Sequence, residues 1–270
     1  MDREQFHVSR RLPDATAGVA ILLLDAHVLG RRRGLADVRI VDAAGRQIPY
    51  IVEQRAEPIV LSLRVPARET RGSLSLYRLE LPQANWPNGT RLVVETSGRV
   101  FDRTVFLRRI ADSHRNRRGG SSTRTSWRSA DPDRVPAPLT LDVPLRDARM
   151  IELAIDEGDN APLPITSARL LVPRRALRFH HPGTALYLLY DNPRIAAPRY
   201  DLELLAQRLA SQPSRVLTLP PAPLIDTDDS HRGERRLFWA ALVVAGAVLI
   251  VILLRLLLKP ETSRAPNDTT

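Results

Sequence analysis

The densest group of residues capable of chemistry in this sequence is a carboxylate cluster in the string IDEGDN, at 155–160. Its oxygen-bearing side chains are Asp156, Glu157, Asp159 and Asn160. Calcium prefers such oxygen ligands, but no glutamate closes an EF-hand loop here at the twelfth position. A tight β-turn with Gly158 at positive φ explains the same residues and is the favoured interpretation. A site for a metal or a polar ligand stays open as the alternative.

Two adjacent histidines are the next candidates for metal chemistry. His180 and His181 lie in a β-like segment, where neighbouring side chains point to opposite faces and do not converge on one ion. The pattern therefore favours a surface pair before Pro182. The sequence contains no cysteine, which excludes thiolate ligands and disulfides. We predict no metal site and no cofactor.

Motifs of the familiar enzyme classes are absent from the sequence. It has no hydrolase nucleophile elbow, no phosphate-binding glycine loop, no HExxH helix and no dinucleotide fingerprint. Serine, histidine and aspartate occur, but their spacing does not single out a catalytic set. The sequence therefore predicts a protein that is not an enzyme.

A basic stretch with one tryptophan, at 109–127, is predicted to be a long surface loop. Arg117, Arg118 and Trp127 are residue types that contact single-stranded nucleic acid, lipid headgroups or anionic envelope polymers. A solvated loop explains them equally and is favoured. The net charge is +10, but every basic residue except Lys259 is an arginine and the arginines are spread along the chain. Nucleic acid is therefore not an expected partner.

The predicted ligand-binding residues combine the carboxylate turn with the basic stretch. They are Asp156, Asp159, Asn160, Trp127, Arg117 and Arg118. Trp86 and the string YDNP at 190–193 could similarly contact sugar rings, although aromatic residues at strand edges are commonly structural.

Short strands joined by turns are predicted to position these residues. Prolines recur too closely for long helices, at Pro49, Pro58, Pro66, Pro82 and Pro87. Residues 59–65 alternate between apolar and polar faces with the period of a strand. Segments 35–42 and 47–54, separated by a turn at 43–46, predict a hairpin. The pattern indicates a mainly β fold of one or two antiparallel sandwich units.

Composition divides the chain into five predicted parts. They are an N-terminal β-sandwich unit at 1–87, a second sandwich at 88–211, a Pro-rich and acidic stalk at 212–236, a transmembrane helix at 237–258 and a disordered tail at 259–270. One helix is expected within the second unit at 201–211, with Asp201 as its N-cap.

The membrane span is predicted from an unbroken apolar run at 237–254, which Arg255 interrupts before three further leucines. About 20 apolar residues in a helix cross the roughly 30 Å hydrocarbon layer, and an arginine near the end can reach the interface. Phe238 and Trp239 lie where an aromatic belt would form. The lipid bilayer is therefore an expected partner.

The side of the membrane that holds residues 1–236 is not indicated by charge. Three basic residues precede the span and three follow it, so the positive-inside rule does not orient it. The apolar patch at 17–24 is too short for a signal peptide and is predicted to be a buried strand. Two arrangements stay open: a tail anchor with the bulk in the cytoplasm, or an export signal upstream of Met1.

Several strings resemble the domain of unknown function 3999 family of bacterial envelope membrane proteins. They are LADVRIVDAAGRQIPYIVEQR at 35–55, IELAIDEGDNAPLPITSARLLVP at 151–173 and LYLLYDNPRIAAPRYDL at 186–202, together with the C-terminal span. The resemblance implies an exported chain with a discoidin-like, galactose-binding-like β-sandwich before a C-terminal helix in the inner membrane, its bulk in the periplasm. It implies architecture and location, and no activity.

The expected function is that of a membrane-anchored binding module for envelope glycan or protein. The alternative is a structural subunit of an inner-membrane complex. In that case the small residues at 240–247 would let the helix pack closely against a membrane protein partner.

Overall fold

The computed structural model describes residues 3–31, 33–110, 122–143 and 148–221, and this part of the chain is mainly β with largely antiparallel sheets. Its strands in chain order are β1 Val8–Arg11, β2 Gly18–Leu23, β3 Arg39–Asp42, β4 Gln47–Ile48, β5 Tyr50–Gln54, β6 Ile59–Leu63, β7 Glu69–Arg71, β8 Leu74–Glu80, β9 Arg91–Thr96, β10 Phe101–Ile110, β11 Ser122–Ser129, β12 Leu139–Asp142, β13 Met150–Asp156, β14 Ile165–Val172, β15 Arg175–His181, β16 Leu186–Tyr190 and β17 Ser214–Thr218. Helical segments are the 3₁₀ turns Arg3–Gln5 and Asp201–Leu205, α1 Ala26–Leu29 and α2 Ala206–Ala210.

These strands form four sheets. Sheet I has the order β1-β16-β3-β4, sheet II β17-β2-β15-β5, sheet III β12-β9-β14-β6 and sheet IV β11-β10-β13-β8-β7. All neighbours pair antiparallel except β17 and β2, which are parallel. The prediction of a mainly β fold with antiparallel sheets is confirmed.

The pairing is nested along the chain. Sheets I and II use only strands from 8–54 and 175–218, whereas sheets III and IV use only strands from 59–172. The chain passes from one set to the other after β5 and returns after β14. These two connections lie side by side, as the hydrogen bond from the backbone N–H of Arg55 to the carbonyl of Arg174 at 3.0 Å shows.

Strand pairing crosses the predicted boundary between residues 87 and 88. Each of the four sheets joins strands from both sides of it, and residues 1–222 group as one compact unit. Hydrophobic periodicity identifies a strand from its own residues, but it carries no information about a partner that is distant in sequence. The predicted units 1–87 and 88–211 group strands that are close in sequence, whereas the sheets pair strands that are distant in sequence.

Alternation with period two builds the interior. In β10, Phe101, Val105 and Leu107 are buried while Asp102 and Arg108 are exposed. Burying one apolar side chain contributes about 1.5–3 kcal/mol, so this alternation determines which face of the strand is covered. Arg103 shares the buried face and requires a partner there.

A proline separates the predicted hairpin into two sheets. β3 pairs with β4 through Ile40 and Ile48, as the sequence predicts. Pro49 follows directly and has no N–H for a ladder hydrogen bond. Beyond it, β5 leaves sheet I and pairs with β15 in sheet II. β5 is consequently an edge strand.

The segment 191–200, which we call the strap, begins at the end of β16. Asp191 has a positive φ of 69°, a conformation that aspartate adopts more easily than most residues. The next backbone N–H, of Asn192, donates to the buried carboxylate of Asp37 at 2.8 Å. The Asn192 side chain in turn accepts from the N–H of Arg194 at 2.9 Å.

Two arginines hold the rest of the strap. Arg33 donates to the carbonyl of Pro193, and the buried Arg39 donates to that of Ala196. Backbone carbonyls without ladder partners thus gain charged donors, which are stronger than neutral ones. The strap ends at Tyr200, next to β5.

Three sequence predictions are corrected in this part of the chain. The predicted loop at 109–127 contains most of strand β11, and the predicted stalk at 212–236 contains β17. The predicted helix at 201–211 begins as a 3₁₀ turn with Tyr200, not Asp201, at its N-cap position. Polar strands such as β11 have too few apolar residues to show an alternating signal.

No helix within the described ranges has the length and hydrophobicity needed to cross a membrane. The predicted span at 237–258 and the tail at 259–270 lie outside the described residues.

Candidate functional site

An open cleft of about 460 Å³ lies between the end of the strap and the edge strand β5. The residues that line it are Leu35, Ala36, Tyr50, Val52, Ala197, Pro198, Arg199, Tyr200, Asp201 and Glu203. Its volume falls within the range of small-molecule sites, and it combines apolar, aromatic and charged side chains as such sites do.

Two tyrosines form the aromatic part of the cleft. Their rings meet edge to face, with 5.3 Å between the centroids of Tyr50 and Tyr200 and 68° between the ring planes. Tyr50 donates its hydroxyl to the carbonyl of Val38 at 2.7 Å, and Tyr200 donates to Gln47 Oε1 at 3.1 Å. Burial raises the pKa of both phenols above the ordinary tyrosine value. The hydrogen bonds hold both rings in fixed orientations.

Charged side chains surround this aromatic pair. Arg199, Asp201 and Glu203 line the cleft and are exposed to solvent. Leu204 follows them and is 87% exposed. The cleft thus offers an aromatic surface together with donors and acceptors of both charges.

A polar cluster lies where the strap begins. Arg10 donates to the carboxylate of Asp25 at 2.7 Å and lies 3.5 Å from the hydroxyl of Tyr190. Arg10 also donates to the carbonyl of Pro220, after β17. Asp25 caps α1 by accepting from the N–H of Val28 at 3.0 Å. The cluster therefore joins β1, α1, β16 and the segment after β17.

His27 occupies the centre of this polar cluster. Its Nδ1 is 2.9 Å from the Tyr190 hydroxyl, and its Nε2 is 2.6 Å from Nη2 of Arg31. A guanidinium only donates, so Nε2 must accept from Arg31, and the ring proton must be on Nδ1. Arg31 also forms an ion pair with Asp191 at 3.3 Å.

The surroundings of His27 disfavour its charged form. Burial, and then the positive charge of Arg31, lower the pKa of His27, while Asp25 and Asp191 act in the opposite direction. His181 behaves similarly. It is 1% exposed, its Nδ1 accepts from the N–H of Gly183 at 3.0 Å, and burial lowers its pKa.

Acidification below about pH 6.5 is expected to destabilise the folded chain. The unfolded state binds protons more readily than folded His27 and His181, because the pKa of each is lowered from 6.5. This stabilisation is therefore present above pH 6.5 and is lost as the pH falls through the folded-state pKa values. The urea unfolding midpoint of the full chain, measured from about pH 7.5 to about pH 5, should decrease. A midpoint that stays constant or rises would contradict the assignment.

The carboxylate cluster at 155–160 is a turn anchored by one buried residue. Glu157 accepts from Arg103 at 2.8 Å and from the N–H of Leu163 at 3.1 Å. Asp156 accepts from the N–H of Gly158, which has a φ of 56° as predicted. The side chain of Asn160 donates to the carbonyl of Glu157.

The predicted site residues that the structure describes are not brought together as one polar site. Asp159 and Asn160 are exposed on the turn, while Trp127 is buried in β11, where its Nε1–H donates to the carbonyl of Ala137 at 3.1 Å. Arg117 and Arg118 lie outside the described residues. Among the residues that the structure describes, no three histidine or carboxylate side chains group as metal ligands.

Burial tests two further predictions, a sugar contact at Trp86 and a surface pair of histidines. Trp86 is buried and donates to the carbonyl of Gln83 at 3.1 Å. His180 and His181 point to opposite faces as predicted, but only His180 is exposed, so the surface pair is corrected. Strand alternation places the two side chains on opposite faces, and at this end of β15 only the face that carries His181 is covered.

Sequence reasoning missed the cleft and most of the polar cluster. The string YDNP was noted and supplies Tyr190 and Asp191, but its partners Arg10, His27 and Arg31 carry no recognisable spacing. The local sequence signal for this cluster is the string YDNP at 190–193.

Comparison with known proteins does not assign a family. No family model matches the chain, and no curated protein matches it. Among solved structures, the infectious bursal disease virus VP2 subviral particle is 15% identical over 67% of this chain and 48% of that one, with a TM-score of 0.16. A structure of the Gx strain of the same virus is 14% identical over 68% and 51%, with a TM-score of 0.15. The chain thus spans about half of each, and neither similarity is close enough to support an argument about fold or function.

Proposed function

We propose that this chain is a single-pass, membrane-anchored binding module of the bacterial envelope that holds a glycan in the cleft between the strap and β5. The carrying observation is the half-buried ring of Tyr200, held edge to face against the buried Tyr50, beside Arg199, Asp201 and Glu203 in an open cleft. The proposal assigns no catalytic role, cofactor or metal to the chain.

Sugar rings match the chemistry of this cleft. A pyranose presents apolar C–H faces that pack on aromatic rings, and its hydroxyls accept and donate hydrogen bonds. Arg199 supplies donors, while Asp201 and Glu203 supply acceptors. An open cleft of this size suits one or two sugar units more than an apolar drug-like molecule, because its charged residues remain solvated.

The proposed architecture is a pair of nested β-sandwiches. Sheets I and II would form one and sheets III and IV the other, which is supported by their separate strand sets. A galactose-binding-like jelly roll is the form that the resemblance implies. The anchor would be the apolar run at 237–258, with the β region on the periplasmic side.

The cleft is tested by glycan binding to the full chain in detergent. Immobilised envelope oligosaccharides should bind the wild type, and Tyr200→Ala should weaken binding by at least about tenfold, or about 1.4 kcal/mol. Arg199→Ala should also weaken it. Arg208→Ala is the matched control, because Arg208 is equally exposed on α2 but does not line the cleft.

Two outcomes would reject the glycan assignment. One is equal binding by wild type and both cleft variants. The other is no glycan binding together with stoichiometric co-purification of a membrane protein, which would favour the alternative of a structural subunit.

The orientation is tested by reporter fusions. A reporter active only in the periplasm should work when fused before residue 237, and a reporter active only in the cytoplasm should work after residue 270. The physical reason is that one apolar span of about 20 residues places its two ends on opposite sides. Activity of a cytoplasmic reporter fused before residue 237 would contradict the periplasmic placement of the β region.

A further inference from the structure

The start of the strap is fastened through a histidine. Arg31 bridges His27 and Asp191, with 2.6 Å from Nη2 to the His27 Nε2 and 3.3 Å from Nη1 to the Asp191 carboxylate. The arginine lies over the ring of the fully buried Tyr190 at 5.8 Å and is itself largely buried. Its position therefore depends on an acceptor at Nε2 of His27.

Protonation of His27 removes that acceptor. The added proton would be on Nε2 and would point at Nη2 of Arg31, so that two donors and two positive charges face each other at hydrogen-bond distance. Nδ1 gives no relief, because its proton already points at the Tyr190 hydroxyl. Arg31 must move away, and its bond to Asp191 is lost with it.

Every charged group that faces His27 belongs to the same cluster. Arg10 and Arg31 oppose a positive imidazole, and Asp25 and Asp191 favour it. Asp25 is already engaged by Arg10 and by the N–H of Val28. Near the strap, the exposed His7 contributes its backbone N–H to the Asp191 carbonyl at 3.4 Å.

We propose that His27 and Arg31 form a pH-sensitive latch: neutral His27 holds Arg31 on Asp191 and fastens the start of the strap, and protonated His27 releases it. Because the strap ends in Tyr200 at the cleft, release would lower the affinity for a ligand there. That last consequence alone rests on the proposed function.

The ring protonation state tests the latch directly. In full-chain protein with ¹⁵N-labelled histidine, His27 at about pH 7.5 should show Nδ1 protonated and Nε2 bare, and it should gain its second proton only below the ordinary value of about 6.5. An Nε2-protonated neutral ring would overturn the proposal, since it could not accept from Arg31.

Hydrogen exchange tests the release. Between about pH 7.5 and about pH 5, after correction for intrinsic rates, the strap amides of Asn192 and Arg194 should exchange about tenfold faster. The central strand β13, which contains no histidine, should exchange faster only by the factor that the global loss of stability accounts for. His27→Gln, which cannot titrate, should abolish the response, and His7→Gln, the matched control, should keep it.

An unchanged strap in the wild type, or an equal response in His27→Gln, would overturn the latch. Neither measurement involves a glycan, so a failure of the latch and a failure of the proposed ligand are distinguishable. If His27→Gln does not fold, the ring titration of the wild type still decides the matter.

Discussion

Glu157→Gln is expected to lower the free energy of unfolding by about 3–5 kcal/mol, the cost of leaving one member of a buried ion pair uncompensated. Glu157 is 5% exposed, and its partner Arg103 is also buried. Arg103 Nε donates to Glu157 Oε2 at 2.8 Å, which makes the pair a buried, hydrogen-bonded salt bridge. Glutamine preserves the shape of the side chain but removes the charge that balances the guanidinium.

The measurement is urea unfolding of the full chain near pH 7. Asp159→Asn is the matched control, because it removes a carboxylate from the same turn at an exposed position. It should change stability by no more than about 0.5 kcal/mol. The double change Glu157→Gln with Arg103→Met should recover part of the loss. A Glu157→Gln effect as small as that of the control would show that the pair does not anchor the turn.

Trp127→Ala should destabilise the chain by about 3–5 kcal/mol, the usual cost of removing a large buried aromatic side chain. Trp127 is 5% exposed and packs edge to face on Phe101, with 5.2 Å between the ring centroids. Truncation would leave a cavity beside Phe101 and would remove the hydrogen bond to the carbonyl of Ala137. Thermal or urea unfolding of the full chain measures the loss.

Two variants separate the role of the tryptophan from that of its strand. Trp127→Phe keeps a ring but loses the hydrogen bond, so a smaller loss of about 1–2 kcal/mol is expected. Arg128→Ala changes the exposed neighbour on β11 and should leave stability nearly unchanged. Full stability in Trp127→Ala, together with weakened ligand binding, would instead support the surface role that the sequence suggested.

Local properties of the fold could be predicted from the sequence, whereas its long-range pairing could not. The alternation in β6 and the turn before β4 are written into adjacent residues, so both were found. The partners of β2 are β15 and β17, more than half the described chain away, and no periodicity identifies them. The nested pairing of the strands could therefore not be predicted from the sequence.

The same reason explains the candidate site. The turn at Gly158 is local and was predicted, but the burial of Glu157 depends on Arg103 in another strand. The cleft requires Tyr50 and Tyr200 to meet although they are distant in sequence. A resemblance drew attention to the string that contains the strap, yet only coordinates show which of its residues face the cleft.

The side-by-side connections at Arg55 and Arg174 have a consequence for biogenesis. As the chain emerges from the ribosome, β1, β2 and β5 have no sheet partners until β15, β16 and β17 are made, and only β3 and β4 can pair early. The interior segment 59–172 can complete its own sheets first, and doing so brings residues 55 and 174 together. Its folding would thereby remove much of the loop-closure entropy that opposes docking of the first and last strands. The strand edges of the N-terminal 54 residues thus stay largely unpaired until residues 175–218 have been made.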